Sequence, residues 1–276
     1  MKLGVLEMVV VTALWGSVPV VAIYSGLPAP VFVFFRISIA ACVLWLLLKT
    51  RLVLDLHVAL SGVFLALNWI LLFYAVRLVT VSEAVLLYYT GPIFAMLAAH
   101  LLGMRLTPTK ALAAALAFTG VALTVAPSFS HAGAGAAVAL ASGAAYGGLI
   151  VTNKYASAKT RPLDLVFNQA VYASVITSPF LVITHVDITP TALAAILFAS
   201  IVNTLLALAL WYDALKKLDI HLAAVLSYLD PVFATVFGYI FLGQTPPPSA
   251  LLGGTLIITA GAISTIEGRR RLIQRT

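Results

Sequence analysis

The sequence predicts an all-α integral membrane protein. Ten transmembrane helices form two inverted-topology five-helix repeats, with the N and C termini both cytoplasmic. Three observations carry this prediction. Apolar residues make up 62% of the chain and charged residues only 9%, against about 25% charge in a soluble domain. Lysine and arginine recur after every second apolar run. The second half of the chain also echoes the first.

A membrane helix needs about 20 mostly apolar residues. Ten segments meet or approach that length: 6–24, 31–48, 57–76, 81–102, 111–126, 135–153, 164–184, 191–212, 221–242 and 249–266. The first begins just after Met1-Lys2 and superficially resembles a signal peptide. It lacks a small-residue cleavage site followed by a polar mature domain, so it reads as a retained membrane helix. The fifth is short and stops at Pro127. Connections are brief and leave no room for a soluble domain.

The cations fix the topology. Lys2 precedes the first segment; Lys49 and Arg51 follow the second; Arg105 and Lys110 follow the fourth. Lys154, Lys159 and Arg161 follow the sixth, Lys216 and Lys217 the eighth, and Arg269, Arg270, Arg271 and Arg275 the tenth. With ten spans these lie on one side, and only Arg36 and Arg77 stand apart. The positive-inside rule places that side in the cytoplasm, and the net charge of +7 is a topology signal rather than a nucleic-acid surface. The lone cysteine, Cys42, excludes an internal disulfide and reads as a small buried hydrophobe.

Two short stretches read almost alike: Tyr88-Tyr89-Thr90-Gly91-Pro92-Ile93-Phe94 and Ser227-Tyr228-Leu229-Asp230-Pro231-Val232-Phe233. A mid-helix proline removes a backbone donor and clashes with the preceding turn. It frees the carbonyl four residues back, on Tyr88 and on Ser227. Lipid offers that carbonyl no donor, so each break is expected to face protein, water or a ligand. The echo is wider: residues 71–103 resemble 210–243, Trp15-Gly16 matches Tyr146-Gly147, and Gly120 matches Gly261. The repeats are read as 1–127 and 133–268. Five spans is an odd number, so the second copy sits upside down, an arrangement that places a binding site at the midplane.

These features resemble the drug/metabolite transporter superfamily, EamA type. They are the five-plus-five arrangement, Leu14-Trp15-Gly16, Arg36 and the paired proline motifs. Within it the chain most resembles the YddG-type exporters of aromatic amino acids. The resemblance implies a multi-pass transporter of the cell inner membrane that exports small organic metabolites by alternating access, aromatic amino acids foremost.

Asp230 is the most unusual residue. It lies about nine residues into its segment, roughly 13 Å deep, where a charge is costly by about 2.5 kcal/mol or more. It either holds a substrate ammonium group or a proton, or bonds structurally beside the kink. Arg36 either binds a carboxylate through its planar fork, or snorkels outward or pairs with Glu83. Trp15, Tyr88, Tyr89, Tyr146, Tyr172, Trp211 and Tyr228 lie on kinked or repeat-related segments and suit a cavity with flat apolar walls and hydroxyl handles. Tyr24, Tyr74, Tyr155 and Trp211 also suit an interfacial belt. Asn68, Asn168, Gln169 and Asn203 either fasten helices or reach the cavity. Ser227 joins the cavity set beside the kink, and Gly91, Pro92 and Pro231 are the gating or kink residues. Asp213 and Lys217, four apart, read as a local ion pair.

The sequence holds no H-E-x-x-H, no G-x-S-x-G and no paired-aspartate metal motif, so an enzyme is not expected and neither is a metal. A channel filter or charged pore lining is equally missing from it. No cofactor is implied, though proton coupling through Asp230 fits the pattern. The expected partners are a small-molecule substrate and the lipid bilayer, without nucleic acid. Oligomeric state is not set by the sequence, since packing faces and lipid faces are both apolar, and a monomer is compatible with it.

Overall fold

The computed structural model describes residues 2–50, 52–75, 78, 84, 87–125, 133–182, 187–243 and 248–273. Among these, all regular structure is helical. The first half contains α1 (Lys2–Gly16), α2 (Val18–Ser25), α3 (Ala29–Leu48), α4 (Leu56–Ala75), α5 (Gly91–Leu101) and α6 (Pro108–Val125). The second contains α7 (Ala134–Lys159), α8 (Pro162–Thr177), α9 (Pro179–Val182) and α10 (Pro190–Ser200). A π-helical segment (Ile201–Leu206) follows, then α11 (Ala207–Lys217), α12 (Ile220–Ser227), α13 (Leu229–Leu242) and α14 (Pro248–Ile273).

Helices fall in all ten intervals read from the sequence. Five continuous apolar stretches are long enough to cross a membrane: Lys2–Ser25, Pro30–Leu47, Ala134–Lys159, Pro190–Lys217 and Ile220–Leu242. Leu56–Leu72, Gly91–Leu101, Pro108–Leu123 and Leu251–Glu267 are shorter apolar helices. Proline punctuates the chain as its missing N–H requires. Pro19, Pro92, Pro179 and Pro190 each sit in the first turn of a helix, where that donor has no intrahelical partner anyway.

Long exposed apolar side chains such as Leu46, Leu101, Val182 and Leu251 cover the outside of the bundle, which is what lipid contact requires. Inside are two main cores. One packs Met8, Ile37, Ile150, Leu165, Trp211 and Leu215 among α1, α3, α7, α8 and α11. The other packs Tyr89, Met96, Val121, Val225, Tyr228 and Ile257 where the broken helices meet α6 and α14. There α6 and α14 run in intimate contact, because Gly120 has no Cβ. One built there would lie 2.5 Å from the Gly253 carbonyl oxygen.

Two sequence expectations about facing are corrected. Cys42 is exposed, not buried, because it lies on the lipid side of α3. Trp211 is only 1% exposed and packs its ring on Trp15 at 5.1 Å, so it belongs to the core and not to an interfacial belt. Tyr24 and Tyr74 are exposed, as a belt demands.

Candidate central binding site

Both proline motifs break their helices. The chain turns at Tyr89-Thr90 before α5, and at Tyr228 between α12 and α13. Pro92 and Pro231 are buried, so neither break points into lipid. The carbonyls of Leu87 and Tyr88 lie against Gly143 of α7. A Cβ on that glycine would come within 2.6 Å and 3.1 Å of them. This is the protein surface that the freed carbonyl was expected to meet.

Each break also docks on a helix of the other half through a glycine. A Cβ on Gly147 of α7 would lie 2.6 Å from Phe94 Cβ, 2.9 Å from the Gly91 oxygen and 3.0 Å from the Ala95 nitrogen. For Gly16 of α1 the corresponding atoms are Phe233 Cβ at 2.7 Å, the Ala234 nitrogen at 2.8 Å and the Asp230 oxygen at 3.0 Å. The same three contacts occur twice, at matching positions of the repeated motifs. Only at such close backbone approach is glycine compulsory. Gly91 is explained similarly, because the Tyr146 ring occupies the place of its Cβ.

These dockings gather side chains from both halves. Tyr88 stacks on Tyr146, with ring centroids 4.8 Å apart and planes 4° from parallel. Tyr89 meets Tyr88 edge-on at 5.2 Å and faces Tyr228 at 6.4 Å. The Tyr89 phenol donates to the Asp230 carboxylate. Tyr146 lies beside Ser227, whose own proton goes to the Ala223 carbonyl at 2.9 Å. Asn68 is hydrogen-bonded to Tyr88. Asp230 lies within electrostatic reach of Tyr88, Tyr89, Tyr146 and Arg36. It nevertheless keeps accessible surface, whereas Tyr89, Tyr146, Ser227 and Tyr228 are buried.

Arg36 departs from the expected snorkelling. It is 6% exposed and holds the π-helical segment, with Nε donating to Thr204 Oγ1 at 2.9 Å and Nη2 to the Asn203 carbonyl at 3.2 Å. Its guanidinium lies 5.1 Å over the Trp69 ring. Glu83, named as its partner from the sequence, lies outside the described residues. The π-helical register explains the contact, since widening the helix changes which carbonyls its own N–H groups satisfy. Thr204 meanwhile donates to the carbonyl of Ala199, at 2.8 Å.

Not every candidate joins the tyrosines. Asn168 accepts from the Val53 N–H at 2.6 Å and donates to the Asp164 carbonyl at 2.8 Å. Gln169 donates to the Ser61 carbonyl at 3.0 Å and to Asn153 Oδ1 at 3.2 Å. Both amides are fully buried ties between elements. Tyr172 lies on Gly62 of α4, and Trp15 on Trp211. Asn203 fastens α1 through the Leu14 carbonyl and Ser17 Oγ. The π-helical segment and its Thr204 escaped sequence reading. Its one signal was the run Ser200, Asn203, Thr204 inside an apolar stretch.

At the cation-rich end, the halves are tied by charge. Lys110 pairs with Asp219, and Lys217 with both Glu7 and Asp213, the latter at 2.5 Å as the four-residue spacing suggested. Asp219 also caps α12 by accepting from the His221 N–H at 2.7 Å. Burial alone would raise the Asp219 carboxyl, but the Lys110 ammonium and the His221 N–H outweigh it and hold it below its ordinary value. Among the described residues no group of His, Cys, Asp and Glu is arranged to hold a metal ion.

The chain matches the EamA-like transporter family over residues 2–126 and again over 133–266. It is 27% identical over 248 residues to the pseudopaline exporter CntI of Pseudomonas aeruginosa, spanning 86% of each chain. It is 31% identical over 209 residues to the threonine/homoserine exporter RhtA of Salmonella typhimurium, spanning 72% of this chain and 68% of that one. A solved crystal structure with 20% identity superposes at a TM-score of 0.83 over 97% of this chain and 98% of its own, a likeness of fold. The two matched stretches, which together cover nearly the whole chain, and the apolar helices make the chain a member of the EamA-like transporter family, a multi-pass inner-membrane transporter of small molecules and not an enzyme.

Proposed function

We propose that the protein exports amino acids, aromatic ones foremost, by alternating access across ten spans. Residues 1–127 and 133–268 are the two inverted halves, and both termini are cytoplasmic. The observation that carries this reading is the cluster of tyrosines from both halves around Asp230, at the two proline breaks. Stacked phenol faces suit a planar side chain, and a carboxylate with accessible surface suits a polar head. The paired glycine dockings support rocking of one half on the other, because each joins the break of one half to a helix of the other. Proton exchange at Asp230 is the coupling this reading favours, and no cofactor is needed.

A second reading is favoured by one relative. Threonine and homoserine, which RhtA is named for exporting, are amino acids without a ring. The test is counterflow in vesicles holding the purified chain. The expected result is saturable exchange of labelled phenylalanine that unlabelled phenylalanine, tryptophan and tyrosine compete for. Exchange of threonine or homoserine but of no aromatic amino acid would select the second reading. Flux that rises linearly with concentration would refute a carrier altogether.

A further inference from the structure

We infer that the central site reads its substrate through a primary ammonium group, with Asp230 as counter-ion, and that the substrate's carboxylate goes unread by Arg36. This rests on the reading above and narrows it to one end of the molecule. Two charged groups, Asp230 and Arg36, lie within electrostatic reach of each other in the cluster, and they differ in how they are held. Arg36 is buried, with Nε and Nη2 committed to Thr204 and Asn203 and its plane laid over Trp69. Two of its five N–H donors are thereby engaged by the π-helical segment.

Asp230 is the reverse. Among the described residues, no cation lies within ion-pair distance of it. Its partner is the Tyr89 hydroxyl, and an ionised carboxylate offers about four acceptor positions. Asp230 is half-buried although it lies deep along its segment, unlike the enclosed Tyr89, Tyr146 and Tyr228 around it. Asn68 Oδ1 is a second buried acceptor without a partner, on the residue that hydrogen-bonds Tyr88. A carboxylate with free acceptor positions calls for a donor-rich ligand group. An ammonium supplies three donors and a charge, and the faces of Tyr88 and Tyr146 add a cation–π contribution. A carboxylate brought to the same place would meet Asp230 with like charge.

The test is calorimetric binding to the purified full-length protein in detergent, with phenylalanine, phenethylamine, N-acetylphenylalanine and threonine as probes. Phenethylamine keeps the ammonium and lacks the carboxylate; the acetylated compound does the opposite. The expected result is phenethylamine within about threefold of phenylalanine and N-acetylphenylalanine weaker by at least about tenfold, the size of a lost charged hydrogen bond. Asp230→Asn, nearly isosteric, is expected to weaken phenylalanine and phenethylamine by a similar factor. The comparison of probes on the unsubstituted protein stands even if that variant fails to fold. Equal binding of phenylalanine and its N-acetyl derivative, or no binding of phenethylamine, overturns the inference while amino acid export stands. Binding of threonine and phenethylamine without phenylalanine upholds the ammonium site and removes the aromatic preference. No binding by any probe overturns both.

Discussion

Adding one methyl group at Gly147 is expected to separate the two halves. The new Cβ would sit 2.6 Å from Phe94 Cβ and 2.9 Å from the Gly91 oxygen, where ordinary contact begins at 3.4 Å. Neither atom is the end of a flexible side chain, so no rotamer change relieves the overlap. The helices must move apart by most of an ångström. Overpacking of this kind costs about 1–3 kcal/mol, against a gain of about 0.5–1 kcal/mol from replacing glycine by alanine in a helix. A net loss of about 1–2 kcal/mol is expected for Gly147→Ala. The same is expected for Gly16→Ala, whose Cβ would meet Phe233 at 2.7 Å and the Ala234 nitrogen at 2.8 Å. Gly254→Ala is the control, since its nearest neighbour is Val232 at 3.8 Å. It is expected to be neutral or slightly stabilising. The assay is reversible unfolding in mixed micelles, titrated with a denaturing detergent. If all three variants unfold alike, the glycine contacts do not hold the halves together and the reasoning is refuted.

Arg36→Lys is expected to destabilise by about 1–3 kcal/mol, because a point charge cannot reproduce both the Thr204 and the Asn203 hydrogen bonds; unfolding midpoints measure it. Asn168→Ala is expected to lower stability while leaving phenylalanine affinity within about twofold, since the amide ties Val53 to α8; unfolding and calorimetry on one sample check both halves of that statement. The Asp219 carboxyl is held below its ordinary value of 3.8 in the fold, so its contribution is complete above that value and fades as pH falls through the lower, folded one. Asp219→Asn is therefore expected to be less stable than the unsubstituted protein near neutral pH, with the gap closing only in strong acid; unfolding titrations across that range would show it.

Hydropathy located the helices because lipid imposes one demand on every crossing segment, a satisfied backbone inside an apolar sleeve. The breaks were equally legible, since Pro92 and Pro231 cannot donate. What hydropathy does not carry is direction around a helix. Lipid and bundle are both apolar, so Cys42 was assigned the wrong face, and an outward-facing alternative stayed open for Trp211 and Arg36 that their burial removes. The depth of Tyr88, Tyr89 and Tyr228 along their segments set them apart from an interfacial belt, but not which ring each would meet. That Gly16 and Gly147 would dock on the opposite half required the tertiary contacts, although the Trp15-Gly16 and Tyr146-Gly147 echo marked the positions. Asn168 and Gln169 look no different in sequence from Asn68. Only the register between helices decides which amide meets a backbone carbonyl and which meets a phenol. The polar run Ser200, Asn203, Thr204 marks the π-helical segment only weakly, because the Arg36 contacts that hold it come from another helix.

The most direct measurement is the reactivity of single cysteines, introduced at Asp230 and at Ile240 in a Cys42→Ser background, toward a membrane-impermeant, water-soluble thiol reagent. Ile240 is 60% exposed on the outside of α13, where lipid covers it. A pocket at the proline breaks predicts that the cysteine at position 230 reacts and that the one at 240 does not. Fast labelling at 240 with none at 230 would place the water-facing side of the broken helix opposite to the tyrosine cluster.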